Sequence, residues 1–122
     1  MTRAILAIDQ GTTNSKAVLV SDRGAILSRG SAAVGIAHPR PGWVEQDPMR
    51  IWASVQEAIA LCLRTGPSVD IQGIALSNQR ESVTVWDAET GAPLGPVISW
   101  QCRRTAPACA DLTAAGDRKS VV

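Results

Sequence analysis

The densest chemical segment of the chain is Asp9-Gln10-Gly11-Thr12-Thr13-Asn14-Ser15-Lys16. Gly11 permits a sharp bend and a close ligand approach, because no Cβ stands in the way. Thr12, Thr13, Asn14 and Ser15 offer hydroxyls, an amide and successive backbone N–H groups, a concave donor set that suits phosphate oxygens. Lys16 adds a compact positive charge. Asp9 follows an apolar run and is placed to hold a hydrated Mg²⁺, which favours one or two carboxylates plus water. The same residues also read as an ordinary hairpin with polar turn residues, and turn chemistry alone favours that reading. The segment is neither a Walker A loop nor a Gly-x-Gly-x-x-Gly turn.

A second cluster follows the apolar run Ile71–Leu76, at Arg80-Glu81. Arg only donates hydrogen bonds and an ionised Glu only accepts them, so the adjacent pair can bracket neighbouring hydroxyls of a polyol. Charged residues just past the carboxyl end of a strand in an open α/β sheet are common ligand contacts. Trp100 could cover the carbon skeleton. The competing reading is a solvated surface pair of little energetic consequence and a core Trp. His38, the only histidine, lies beside two loop prolines with no metal cluster or nucleophile near it in sequence, and reads as a loop residue. Arg103-Arg104 reads as the start of a solvated helix, and Glu45 and Asp47 as loop and cap residues.

These residues need elements to position them. Ala4–Ile8 reads as a buried strand, Ser15–Val20 as a second, and Ala25–Val34 as a third after the turn Ser21–Gly24. Connections this short imply an antiparallel meander. His38-Pro39-Arg40-Pro41-Gly42 forms a loop. A helix then starts with Asp47 as N-cap and Pro48 in its first turn, and Gly66-Pro67 stops it. Ile51, Val55, Ile59 and Cys62 give that helix its apolar face. Ile71–Leu76 is expected as a further buried strand and Val83–Trp86 as another. Asp87–Gly91 turns the chain towards Val97–Trp100. A last helix is expected over Arg103–Ala115, closing at Gly116, with residues 117–122 as a tail. Meander, helix and further strand indicate an α/β domain with a mixed sheet.

Composition bounds the function. Lys plus Arg number 12 and Asp plus Glu 11, a net charge of +1. That balance argues against a nucleic-acid or anionic-membrane grip as the main role. The apolar runs are too short for a membrane helix, and the N-terminal segment lacks the features of a signal peptide, so a cytoplasmic protein is expected. Cys62, Cys102 and Cys109 read as reduced, mostly buried thiols. With no Phe or Tyr, four Trp residues supply all the aromatic surface.

Taken with three later stretches, the first turn acquires a family likeness. They are Pro41-Gly42-Trp43-Val44-Glu45-Gln46-Asp47-Pro48, Ser77-Asn78-Gln79-Arg80-Glu81 with Val85-Trp86-Asp87, and Ser99-Trp100-Gln101-Cys102-Arg103-Arg104-Thr105. In this order they resemble the FGGY carbohydrate kinases, and among them the glycerol-kinase type, over about residues 4 to 115. The resemblance implies a ribonuclease H-like (actin/hexokinase-type) α/β domain, incomplete within residues 1–122, with the second domain absent.

It implies ATP or ADP and Mg²⁺ as cofactors and glycerol or a similar polyol as substrate. Gly11, Thr12, Thr13, Asn14 and Lys16 would meet the nucleotide phosphates, and Asp9 the Mg²⁺ through water. Lys16 stands where relatives typically have Arg, and Asn14 where many have Ser. Arg80, Glu81 and Trp100 would meet the polyol. No catalytic residue is expected within the chain, because the family's basic Asp lies later in the sequence. The chain alone is therefore expected to be inactive, and self-association into a homodimer is a further expectation. Two alternatives remain beside phosphorylation of glycerol to glycerol 3-phosphate. One is a kinase for erythritol, xylulose or gluconate; the other is a non-catalytic nucleotide- or polyol-binding fragment.

Overall fold

Alternation along the first three strands decides the architecture. The computed structural model describes residues 1–116; the tail at 117–122 lies outside them. β1 (Arg3–Gln10), β2 (Asn14–Ser21) and β3 (Ile26–Ala33) form the expected antiparallel meander. β4 is the short strand Glu45–Gln46, and α1 spans Pro48–Thr65. β5 (Asp70–Asn78) lies parallel to β1, giving a mixed sheet in the order β3-β2-β1-β5. β6 (Val97–Ile98) pairs with β4 in a separate two-stranded sheet, and α2 spans Ala106–Ala114.

Every second residue of β1 and β2 faces α1. Ala4, Leu6 and Ile8, with Ala17 and Leu19, meet Ala58 and Cys62 of the helix in one core. Each buried Leu or Ile there contributes roughly 1.5–3 kcal/mol. The expected helical stripe needs correction. The fully buried line is Ser54, Ala58 and Cys62, while Ile51, Val55 and Ile59 flank it half-buried. The helix docks on its small residues because Gly30 lets it come close. A Cβ on Gly30 would stand 2.0 Å from the Ala58 carbonyl oxygen. Ser54 gives its one proton to the Ile51 carbonyl at 2.7 Å, so the buried Ser15 hydroxyl donates to Ser54 Oγ, also at 2.7 Å. Asp47 caps α1 by accepting the Met49 N–H at 2.9 Å, and Gly66 ends it, as the sequence implies.

Three other expectations change. β5 exists and is longer than expected, but it is not buried: Ile74 is 67% and Leu76 72% exposed. α1 lies over β2 and β3, and no described element covers that part of the sheet. Val83–Trp86 makes only isolated bridges, Val83 to Ile98 and Trp86 to Pro93. Pro93 and Pro96 carry no N–H, so a ladder cannot run along that segment. The last helix starts at Ala106 rather than Arg103. The Arg103 N–H is taken by the Gly42 carbonyl at 2.7 Å, which holds the chain out of the helix.

Candidate functional site

The β1–β2 hairpin places the first cluster. Gly11 N–H donates to the Asn14 carbonyl at 3.0 Å and closes the turn. The need for glycine is steric, because a Cβ on Gly11 would lie 2.9 Å from that same carbonyl oxygen. Four consecutive turn carbonyls are engaged. Gly11 accepts from Gln10 Nε2 at 2.8 Å and Thr12 from Gln46 Nε2 at 2.7 Å. Thr13 accepts from the Val34 N–H, and Asn14 from Gly11, both at 3.0 Å. By contrast, no acceptor among the described residues takes the N–H of Thr12 or Thr13. The turn therefore has its carbonyls tied down and those two donors open, the pattern of backbone donors that can receive an anion.

Asp9 stands directly across the ladders from Lys16 on one side and Ser77 on the other. All three line a shallow trough of about 320 Å³ on the sheet face opposite α1, with Ala7, Val18 and Ala75 as its floor. Asp9 and Lys16 are exposed there, and Asn14 is half-buried at the head of β2. A lone carboxylate beside open space fits a metal held mostly by water. No cluster of three or more His, Cys, Asp or Glu among the described residues offers a fuller cage.

The second cluster follows β5 directly. The Gln79 N–H donates to the Gln10 carbonyl at 2.8 Å, continuing the parallel ladder one step past the strand. Arg80 and Glu81 are both exposed, and neither joins an ion pair among the described residues. Glu81 has φ 64, the only described non-glycine residue in the left-handed region. Such a conformation costs about 1–3 kcal/mol and concentrates at functional positions.

Trp100 is 53% exposed and lies in a loop whose backbone N–H reaches Ser82 Oγ at 3.1 Å. Its indole N–H donates to Thr12 Oγ1 at 2.9 Å. The structure therefore brings Trp100 to the Gly11–Asn14 turn itself, and brings Arg80 and Glu81 to a loop stitched to both.

Glutamine side chains, given no role in the sequence reading, do that stitching. Gln46 is 2% exposed, and its Oε1 accepts from Gln79 Nε2 at 3.0 Å. Ser82 Oγ donates to Gln79 Oε1 at 2.9 Å. A signal for Gln46 existed: it sits two residues from Val44, so alternation turns it inward with that buried neighbour.

Arg104 is not a solvated helix residue. It pairs with Glu45 at 2.6 Å, lies 3.9 Å above the Trp43 ring centre, and donates from Nε to Cys102 Sγ at 3.0 Å. Bonding to Cys102 and then to Glu45 raises its pKa. Burial pushes the Cys102 thiol up, but hydrogen bonds from Arg104 and from the Val44 and Arg104 backbone outweigh it and leave the thiol below its ordinary value. Of the three cysteines only Cys62 is buried, so the expectation of mostly buried thiols holds for one; all three are free. His38 is an exposed loop residue, as expected, and its Nδ1 contacts the Trp43 carbonyl oxygen at 3.2 Å.

Known proteins carry the same arrangement of sequence. The chain is 45% identical over 120 residues to an apulose kinase of Pectobacterium atrosepticum, covering 98% of the chain and 24% of that protein. It is 46% identical over 114 residues to a glycerol kinase of Symbiobacterium thermophilum, covering 92% of the chain and 23% of that protein. The chain thus spans about a quarter of the length of these relatives. A crystal structure of Plasmodium falciparum glycerol kinase with ADP superposes with a TM-score of 0.84 at 30% identity, covering 93% of the chain and 23% of that structure. The actin/hexokinase-type fold expected from the sequence is the fold of these neighbours. Residues 4–122 match the FGGY family of carbohydrate kinases, N-terminal domain, and the chain belongs to that family.

Proposed function

We propose that the chain supplies the phosphate turn and part of the acceptor site of an ATP-dependent kinase that converts glycerol to glycerol 3-phosphate. The observation that carries this reading is the turn at Gly11–Asn14, whose carbonyls are all engaged while the Thr12 and Thr13 N–H groups stay open. In this reading Gly11, Thr12, Thr13 and Asn14 hold nucleotide phosphates and Lys16 offsets their charge. Asp9 holds Mg²⁺ through water, and the metal would neutralise phosphate charge. Arg80 donates to acceptor hydroxyls, Glu81 accepts from them, and Trp100 covers the carbon chain. The chain is read as a partial N-terminal kinase domain. The chain spans about a quarter of the length of its relatives, so turnover is assigned to a longer protein.

A cytosolic setting suits both a supply of ATP and three free thiols. No helix among the described residues is long and apolar enough to cross a membrane. A second reading keeps the kinase and changes the acceptor to a sugar, and the 45% identity to an apulose kinase favours it.

Calorimetric titration with Mg-ADP, glycerol and a panel of pentoses tests both readings. Saturable glycerol binding that Arg80→Ala weakens at least about tenfold, a loss of about 1.4 kcal/mol, supports the first. Pentose binding without glycerol binding would move the assignment to the second.

A further inference from the structure

The polar side chains around the turn close into a ring. Gln46 Nε2 donates to the carbonyls of Thr12 at 2.7 Å and Gly35 at 3.3 Å. Carbonyls only accept, so the Gln46 amide cannot flip, and its Oε1 must face a donor. That donor is Gln79 Nε2 at 3.0 Å, whose second proton goes to Gln10 Oε1 at 3.2 Å. Gln79 Oε1 is left to accept the Ser82 hydroxyl at 2.9 Å. With its proton committed, Ser82 Oγ accepts the Trp100 backbone N–H at 3.1 Å. The Trp100 indole N–H then returns to Thr12 Oγ1 at 2.9 Å. Both Trp100 groups can only donate, so the order of donors and acceptors is fixed from either end. The ring joins all four sequence segments that carry the family likeness.

We propose that this ring couples occupancy of the phosphate turn to the acceptor loops, with Gln46 and Gln79 as positioning residues. The inference rests on the functional reading above. Thr12 Oγ1 accepts the indole N–H, which leaves its own proton free for a phosphate oxygen. A hydroxyl that donates outward becomes a better acceptor, because chains of hydrogen bonds polarise one another. Phosphate at the turn therefore tightens the indole bond and fixes Trp100 over the acceptor. Gln46 and Gln79 hold the Thr12 carbonyl and the Arg80-Glu81 loop in register with that change. The sign of the coupling is positive, and by linkage it is reciprocal.

The test measures glycerol affinity of the full chain with and without saturating Mg-ADP, while NMR follows the four tryptophan indole N–H signals. The unmodified chain is expected to bind glycerol at least about fivefold tighter with Mg-ADP present. The Trp100 indole signal shifts on nucleotide binding, with Trp52 and Trp86 as exposed references. In Gln46→Ala each ligand still binds, but the enhancement falls below about twofold. Ser82→Ala breaks the ring at its half-buried side and gives the same loss should Gln46→Ala not fold. Undiminished enhancement in a folded variant overturns the inference alone. Failure of the unmodified chain to bind Mg-ADP or glycerol overturns the functional reading, and the inference with it.

Discussion

The turn at Gly11–Asn14 and the loops carrying Arg80, Glu81 and Trp100, proposed as phosphate turn and acceptor loops, touch through Trp100 and Thr12, yet they are built by different means. The turn is a hairpin between two eight-residue strands, and the bond that closes it, from the Gly11 N–H to the Asn14 carbonyl, spans three residues. The loops carrying Arg80, Glu81 and Trp100 have almost no ladder. They hang on isolated bridges, a pair of two-residue strands and side-chain hydrogen bonds, amide and indole, that span 33 to 88 residues. A nucleotide's phosphates vary little, so a stiff backbone mould suits them. A loop held by side chains can be reset for a different acceptor without disturbing the sheet, which fits a family whose members are named for different acceptors.

The largest effect should come at the contact between α1 and the sheet that carries the turn. Gly30→Val would drive a side chain into the Ala58 carbonyl and the Cys62 N–H. Overpacking of this kind costs about 3 kcal/mol, and thermal unfolding by circular dichroism should show a fall of several degrees or more. An unchanged midpoint would mean that α1 does not pack this closely on β3. Gly11→Ala is milder and one-sided. Its Cβ would crowd the Asn14 carbonyl at 2.9 Å, so Mg-ADP affinity should drop about tenfold, 1.4 kcal/mol or so. Glycerol affinity measured without nucleotide should change less than about twofold, under about half a kcal/mol. Equal losses of both ligands would erase the distinction between mould and loops.

The smallest effect concerns the clamp that ties the acceptor loops to β4. Arg104 holds the Cys102 thiol below its ordinary value, so the folded chain forms thiolate at lower pH than the unfolded chain does. A depressed acid stabilises the fold above its unfolded pKa, and that contribution fades as pH falls through the folded value. Arg104→Leu should therefore shift the pH profile of Cys102 alkylation upward, read peptide by peptide in a mass spectrometer against Cys109. A profile that stays put would show that Arg104 does not set the thiol's charge.

The difference between the two regions also explains how much was legible in the sequence. The meander, the capped helix and the phosphate turn depend on local pattern: alternation in Ala4–Ile8, Asp47-Pro48 at a helix start, Gly11 in a tight turn. The acceptor loops depend on partners far along the chain, which local pattern does not reveal. Val83–Trp86 has the composition of a strand, but the segment across from it carries Pro93 and Pro96. Arg103-Arg104 reads as solvent-facing, and for Arg104 that fails because Glu45 and Trp43 reach it from about sixty residues away. Gln46 and Gln79 lay inside segments already singled out by likeness, yet amides carry no obvious chemistry until their partners are known. β5 was recognised as a strand, whereas its burial depended on where α1 came to rest.

Glu81 gives the last lesson. At φ 64 glycine adopts the backbone without penalty, whereas for a glutamate it costs about 1–3 kcal/mol. Folding and side-chain chemistry thus pull in opposite directions at a single residue. In the proposed function the carboxylate kept there is the group that accepts from the substrate hydroxyls, so the strain would be offset only when substrate is bound.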